Sequence, residues 1–316
     1  MVGVYAGARL VWQEVPGCGL GLLLKRGGEV VRERKNVLVL FSKPPVPGLV
    51  KTRLSTLKDG VFTPEVAAAL YHCMLFDVAE ICCAAMDDLE ARAAKVATQD
   101  QGVREVYELV ISTTPASNVE IMRALFAKSG AWPRPITFIA DEGASFDEHY
   151  NHAFQQAFDG GADVVLSMGA DMPALTKADI IAGFDALHRL DGVEGGGIVL
   201  APDQEMGVSV IGWTRNTDFS HAGVFYNSEG MTVLTAYIDK ARSCNLPALY
   251  LPPIPDVDTM ADLMHAVTVV DALNYCAQFD DIVPPWRTAD ALQQMGWNEV
   301  RVPPNDLHDP REEIDL

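Results

Sequence analysis

The stretch NVLVLFSKPPVPGLVKTRL, residues 36–54, decides the fold of this chain. After Asn36 it continues as an apolar run, which is typical of a parallel strand buried on both faces. The run leads directly into a loop rich in proline, glycine and basic residues. Because open α/β sheets bind ligands beyond the carboxyl ends of their strands, this stretch predicts a first strand followed by a ligand-binding loop.

Strand-like and helix-like segments alternate along the rest of the chain. Further strands are predicted at 106–113, 135–140, 162–169, 196–202, 208–213 and 247–252. Helices are predicted to begin at Pro64 and near Thr176, and to cover 118–128, 145–158, 228–243 and 259–273. This alternation predicts an α/β fold, a Rossmann-like, doubly wound, mostly parallel sheet with helices on both faces.

The predicted organisation has three parts. Residues 1–35 form an N-terminal extension, 36–275 the α/β domain, and 276–316 an acidic, proline-rich C-terminal tail. The apolar run at 17–24 is not expected to be a signal peptide, because no basic segment leads into it. In the tail, one short helix is expected at 288–296, the rest is expected to be extended, and the last eight residues are expected to be disordered.

Composition limits the classes of partner. With 24 basic and 43 acidic residues among 316, the formal net charge is −19, which argues against nucleic acids and anionic membrane surfaces. No apolar run approaches the roughly 20 residues of a membrane span. The six cysteines form no C-x-x-C pair and fit reduced thiols, so a cytoplasmic location is expected. The sequence does not indicate the oligomeric state.

The loop after the first strand carries Lys43, Gly48, Lys51 and Arg53. Three cations and a glycine at the carboxyl end of a buried strand fit phosphate binding, because glycine lets backbone N–H groups approach an anion. The Gly-Lys-Ser/Thr ending of a P-loop is missing. The alternative interpretation is a rigid, proline-rich surface turn with solvated charges.

Two aspartates, Asp171 and Asp258, each follow a predicted strand and could together hold Mg²⁺, which needs only one or two carboxylates beside waters and phosphate oxygens. The alternative for each is helix capping. Thr176 is a nearer cap than Asp171, whereas Asp258 or Thr259 could cap the following helix with Asp262 in its first turn.

Two further polar groups are weaker candidates. The segment APDQEMGVSVIG, 201–212, places acidic residues between two strands, although an ordinary turn is the favoured interpretation. Glu148, His149 and His152 could suggest zinc, but they lack the H-E-x-x-H pattern, and a zinc site is not favoured.

Taken in order, these motifs resemble one bacterial family of uncharacterised, glycosyltransferase-like proteins, related to 2-phospholactate guanylyltransferase and more distantly to molybdenum cofactor guanylyltransferase. The segment 41–54 matches the family pattern F-x-K-x-P-x-P-G-x-x-K-T-R-L at every fixed position. GADMP, 169–173, and DVDTMADL, 256–263, match its other two motifs, whereas 201–212 keeps its motif only in part. The resemblance covers about residues 36–272.

The resemblance implies the GT-A fold of nucleotide-diphospho-sugar transferases. It implies that Lys43, Lys51 and Arg53 bind nucleotide phosphates and that Asp171 and Asp258 hold Mg²⁺ or Mn²⁺, with Lys43, Lys51, Arg53 and Asp171 acting in catalysis. The implied function is metal-dependent glycosyl or nucleotidyl transfer from a nucleotide donor to a small-molecule acceptor. The altered segment 201–212 motivates an alternative, a non-catalytic nucleotide-binding or regulatory module that retains the fold.

Overall fold

The structure is a computed structural model that describes residues 8–15, 19–26, 29–31, 33–97 and 103–300. Near the N-terminus, three antiparallel strands form a small sheet in the order β1-β2-β3. They are β1 (Ala8–Val15), β2 (Gly19–Arg26) and β3 (Glu29–Val31). The sequence predicted only an extension here, since this segment lacks a clear alternating pattern.

The main sheet has seven strands. They are β4 (Glu33–Phe41), β5 (Arg104–Thr113), β6 (Ile136–Ala140), β7 (Val164–Gly169), β8 (Ile198–Pro202), β9 (Val208–Thr214) and β10 (Ala248–Tyr250). Their order is β10-β8-β9-β7-β4-β5-β6, and only β9 runs antiparallel to its neighbours. The predicted mostly parallel sheet is therefore confirmed.

Seven helices connect and cover the strands. They are α1 (Pro64–Ala97), α2 (Asn118–Lys128), α3 (Phe146–Asp159), α4 (Lys177–Asp191), α5 (Val233–Ser243), α6 (Met260–Cys276) and α7 (Trp286–Gln294). Side chains on β4 alternate between two cores. Leu38 and Leu40 pack on the face covered by α1, α4 and α6, whereas Val37 and Val39 pack on the face of α3 and α5. Helices thus lie on both faces, as predicted.

Helix α1 is long and apolar enough to cross a membrane, by length and composition alone, although polar residues interrupt its apolar sequence. However, 72% of its most apolar window is buried inside the domain. Its apolar surface packs in the same core as Leu38 and Leu40, so the helix serves as a central element of that core.

The helix expected at 288–296 is present as α7, and it packs against α1. Leu292 of α7 is buried, and the carboxylate of Asp77 on α1 accepts hydrogen bonds from the backbone N–H groups of Arg287 and Thr288. Residues 301–316, for which an extended and finally disordered chain was expected, lie outside the described residues. The domain boundaries at 35 and 275 stay predictions.

Candidate functional site

A cleft of about 870 Å³ opens along the edge where β4, β5, β6 and β7 end. Parallel strands all present their carboxyl ends at this edge, so every loop that follows one of them contributes to the same wall. The loop between β8 and β9 and residues 225–233, before and at the start of α5, also line the cleft.

The basic loop is shaped by two residues with left-handed backbone conformations. Gly48 has φ +79° in a turn closed by a hydrogen bond of 3.0 Å from the N–H of Leu49 to the carbonyl of Val46, a geometry that favours glycine. Lys51 has φ +45°, which costs a non-glycine residue roughly 1–2 kcal/mol. Such strain at a cleft is often retained because it aims a functional side chain.

The side chain of Lys51 joins the two predicted aspartates. Its Nζ lies 2.5 Å from Oδ2 of Asp171 and 2.9 Å from Oδ1 of Asp258, although these residues are 120 and 207 positions away in the chain. Arg53 donates from Nη1 to the other oxygen of Asp258 at 3.0 Å. The fold therefore brings four of the six predicted metal- and phosphate-binding residues into direct contact at one point.

Helix capping does not use these two aspartates. Thr176 caps α4 in a capping box with Asp179, and Thr259 caps α6 in a capping box with Asp262. Since Thr176 and Thr259 supply the caps, the carboxylates of Asp171 and Asp258 are directed to the cleft. In the segment 256–263, the capping interpretation is confirmed for Thr259 and Asp262, whereas metal binding by Asp258 stays a prediction.

The charges at this point strongly perturb one another. Burial disfavours a charged Lys51, but Asp171 and Asp258 outweigh it and raise the pKa of Lys51. Burial raises the pKa of Asp258, but Lys51 and Arg53 outweigh it, so the pKa is lowered. The neighbouring Asp256 is different, because burial and the negative charges of Asp171 and Asp258 raise its pKa to about 7.

The donor set fits a divalent cation. The described part of the chain holds no cluster of three or more His, Cys, Asp or Glu side chains with the geometry of a metal site. Mg²⁺ sites beside phosphates need fewer protein ligands, because waters and phosphate oxygens complete the shell. Carboxylates of Asp171 and Asp258 already converge on one cationic nitrogen, so Asp171 and Asp258 are the residues that could hold the ion.

The two remaining predicted residues are placed differently. Lys43 is exposed and lines the cleft, and its backbone N–H donates to the hydroxyl of Tyr71 at 3.2 Å. Gly48 lies in the turn and does not itself line the cleft. Its positive φ explains why glycine stands there, whereas phosphate binding by Gly48 and Lys43 stays a prediction.

The loop between β8 and β9 is an internally bonded turn. One carboxylate oxygen of Asp203 accepts hydrogen bonds from the N–H groups of Glu205 at 2.7 Å and Gly207 at 2.8 Å, which supports the turn interpretation. Gln204 donates to Oδ1 of Asp256 at 2.9 Å and so fixes this carboxylate beside the aspartate pair. Glu205 lines the cleft.

The zinc interpretation of Glu148, His149 and His152 is not supported by their contacts. Glu148 accepts from the N–H of Ala144, and His152 accepts through Nδ1 from the N–H of Glu142. Both therefore fix the backbone of the loop before α3. Only His149 among the three lines the cleft.

His149 belongs to a polar group that the sequence did not reveal. Its Nδ1 lies 2.7 Å from Oδ1 of Asp141, a buried residue directly after β6, and Ser112 donates to the other oxygen at 2.7 Å. A signal was present, because Asp141 follows a predicted strand just as Asp171 does. The sequence does not show which side chain lies against the carboxylate of Asp141.

Aromatic rings also line the cleft. Phe41, the last residue of β4, stacks on Tyr150 with ring centroids 3.8 Å apart. Phe146 contacts Phe225 and Tyr226, with centroids 4.8 Å and 5.9 Å away. Tyr226 is 89% exposed at φ +51°, so it presents an uncovered ring to the cleft.

Comparisons with known proteins agree with the predicted resemblance. Residues 82–228 match the profile of a family described as an uncharacterized protein conserved in bacteria (DUF2064). This stretch includes Asp171 but neither the basic loop nor Asp258. A search of curated proteins finds no match.

Among solved structures, a candidate nucleotide-diphospho-sugar transferase from Desulfovibrio desulfuricans G20 is 24% identical, with a TM-score of 0.59 over 85% of this chain and 99% of that one. A cytidylyltransferase from Leptospira borgpetersenii is 10% identical, with a TM-score of 0.43 over 87% of this chain and 100% of that one. The chain is therefore similar to the DUF2064 family, and its α/β fold is that of the Desulfovibrio protein, which confirms the predicted resemblance and fold class.

Proposed function

We propose that this protein is a metal-dependent transferase that acts on a nucleotide donor. One observation carries the proposal: a single buried ammonium, that of Lys51, holds Asp171 and Asp258 together at the carboxyl edge of the sheet. An α/β sheet binds ligands at this edge, and a nucleotide diphosphate needs both cations and carboxylate-held metal there. The similarity to a nucleotide-diphospho-sugar transferase fold supports the same class.

In the proposed site, Asp171 and Asp258 hold Mg²⁺ or Mn²⁺, which would neutralise charge that builds up on the phosphates. Lys51 and Arg53 lie against the same carboxylates, and Lys43 is exposed at the cleft rim. These three cations contact phosphate oxygens and stabilise the leaving group electrostatically. Lys51 thus exchanges its carboxylate partners for phosphate when donor and metal bind.

The donor is a sugar nucleotide or an NTP, and the acceptor is a small molecule that enters beside the loop 203–209 and the aromatic rings of 225–226. In glycosyl transfer a sugar moves from the nucleoside diphosphate, and in nucleotidyl transfer a nucleotide moves and pyrophosphate leaves. Both need the same metal and cations. All cysteines in the described part of the chain are free, which is consistent with the proposed cytoplasmic location.

A thermal-shift panel tests the proposal. NTPs and sugar nucleotides are added with Mg²⁺ or Mn²⁺, and binding to the folded state raises the melting temperature by mass action. We expect one donor class to raise it only with metal, and Asp171→Asn to abolish both the shift and turnover of that donor. Asp88→Asn is a matched control, because Asp88 also pairs with a lysine but lies outside the cleft.

The outcomes separate the alternatives. Failure of every nucleotide to bind, with or without metal, contradicts the proposal. Tight binding without turnover of any donor supports the non-catalytic module instead. Lys51→Ala should weaken binding of every nucleotide by a similar factor, because Lys51 contacts phosphates rather than the base.

A further inference from the structure

The cleft contains the oriented imidazole of His149, which has no role in the proposed function. Asp141 is 3% exposed, and its two oxygens accept hydrogen bonds from Ser112 and from Nδ1 of His149. With Nδ1 donating to the carboxylate, Nε2 of a neutral His149 is left as an acceptor. No described residue is hydrogen-bonded to this Nε2, and the ring lines the cleft.

A buried carboxylate that fixes one nitrogen of an imidazole leaves the other nitrogen as a proton acceptor and stabilises the imidazolium that forms. Asp141 has no lysine or arginine partner among the described ion pairs, so His149 is the cationic side chain that its carboxylate can stabilise. Ser112 fixes this carboxylate further, because its hydroxyl donates a hydrogen bond to the second oxygen of Asp141. This chain of contacts is what orients a general base.

The pair lies close to the aspartate site. Tyr150, adjacent to His149, lines the same cleft, and its pKa is raised by burial and by the negative charges of both Asp171 and Asp141. Two buried hydroxyls of the cleft wall, those of Ser42 and Thr113, also have no hydrogen-bond partner within the described residues.

We propose that His149, held by Asp141, is the general base that deprotonates a hydroxyl acceptor, so that the acceptor is an alcohol and not a phosphate. This inference rests on the proposed transferase function. A phosphate acceptor is already an anion and needs no base, whereas a hydroxyl must lose its proton as it attacks.

The same bonds form and break in both transfer chemistries, apart from the atom that is attacked. The acceptor oxygen forms a bond to the anomeric carbon of a sugar nucleotide, or to the α-phosphorus of an NTP. The bond from that centre to the bridging oxygen breaks, and its electron pair leaves with the nucleoside diphosphate or with pyrophosphate. The acceptor proton passes to Nε2 of His149 and then to solvent.

Water serves as the test acceptor, because it is also a hydroxyl that must be deprotonated. Hydrolysis of UDP-glucose, GDP-mannose, CTP and GTP is followed with Mn²⁺ by release of nucleoside diphosphate or pyrophosphate. For whichever donor the wild type hydrolyses, we expect His149→Gln to lower kcat about 100-fold or more, the usual contribution of a general base, with KM changed less than about twofold. Added imidazole should restore hydrolysis in His149→Ala.

His152→Gln is the matched control, because His152 lies on the same helix but binds the backbone of Glu142, and its kcat should equal that of the wild type. Melting temperatures and donor-induced shifts of the His149 variants show whether they are folded and bind donor. Wild-type kcat in His149→Gln overturns the base role alone. Loss of the donor-induced shift in that variant would show that His149 binds the donor, and it would also overturn the base role. A wild type that neither binds nor hydrolyses any donor overturns the proposed function, and the base role with it.

Discussion

Replacement of Lys51 by methionine should remove the cation that holds the two aspartates together. Methionine keeps the length and the left-handed backbone strain at this position, so only the charge changes. Removing one partner of a fully buried ion pair costs about 3–5 kcal/mol. Here the Lys51 side chain is 6% exposed, but those of Asp171 and Asp258 are 24% and 43% exposed. Water therefore relieves part of the cost, and we expect a loss of about 2 kcal/mol in the free energy of unfolding.

A divalent cation should reverse most of this loss. In Lys51→Met, Mn²⁺ can take the position between Asp171 and Asp258 that the ammonium holds in the wild type. At a concentration about 100 times its Kd, a ligand of the folded state contributes about 2.7 kcal/mol. In the wild type, Mn²⁺ must first displace Lys51, so without nucleotide its effect should be smaller.

The assay is chemical unfolding, with and without Mn²⁺, of wild type, Lys51→Met and Lys177→Met. Lys177 is a matched control, because its 9% exposed side chain also joins two carboxylates, those of Asp88 and Asp281, away from the cleft. Lys177→Met should lose stability that Mn²⁺ does not restore, since Asp281 is 86% exposed and poorly fixed. Equal Mn²⁺ effects on all three proteins would refute the joint cation site.

The surroundings of Asp258, His188 and Asp77 lead to three further expected results. Asp258→Asn should abolish metal-dependent nucleotide binding in the thermal-shift assay, whereas Thr259→Ala should keep it and lose about 1 kcal/mol in urea unfolding, because only Thr259 caps α6. Burial lowers the pKa of His188 to about 4, whereas the imidazole of an unfolded chain has a pKa of about 6.5. The wild type should therefore lose stability as the pH falls from about 6.5 towards 4, because the unfolded state binds the proton more readily than the folded state. Between pH 7.5 and 4, the free energy of unfolding in urea should fall by about 2–3 kcal/mol less in His188→Gln than in the wild type. Asp77→Ala should cost about 2–3 kcal/mol and expose α7 to limited proteolysis, because the buried carboxylate of Asp77 binds the N-terminus of α7.

Most of the α/β framework could be predicted from the pattern of apolar residues. These residues form continuous runs in buried parallel strands, whereas they recur at helical spacing in the helices between the strands. The antiparallel orientation of β9 could also have been predicted. Only five residues separate β8 from β9, and a parallel pair needs a crossover of a dozen or more residues. The strands β1–β3 were missed, since backbone pairing in this short segment leaves no alternating apolar pattern.

The candidate site could be predicted in part. Lys51, Arg53, Asp171 and Asp258 were expected at one edge because each follows a parallel strand, and the structure places them together. What could not be predicted depends on side-chain direction. A sequence does not show that Lys51 adopts φ +45° and reaches the aspartates, or that His149 turns towards Asp141 eight residues earlier.

The charge balance of the cleft explains why a nucleotide should bind together with a metal. The carboxylates of Asp171 and Asp258 already occupy Lys51 and Arg53, and Asp256 adds a third acidic group whose pKa is raised to about 7. Near neutral pH, the free site therefore has little positive charge to offer a phosphate. In the proposed function, a divalent cation would change the balance, because it would bind the carboxylates and release the Lys51 ammonium. Since the whole chain is strongly acidic, we expect this release to be what allows a nucleotide to bind in the cleft.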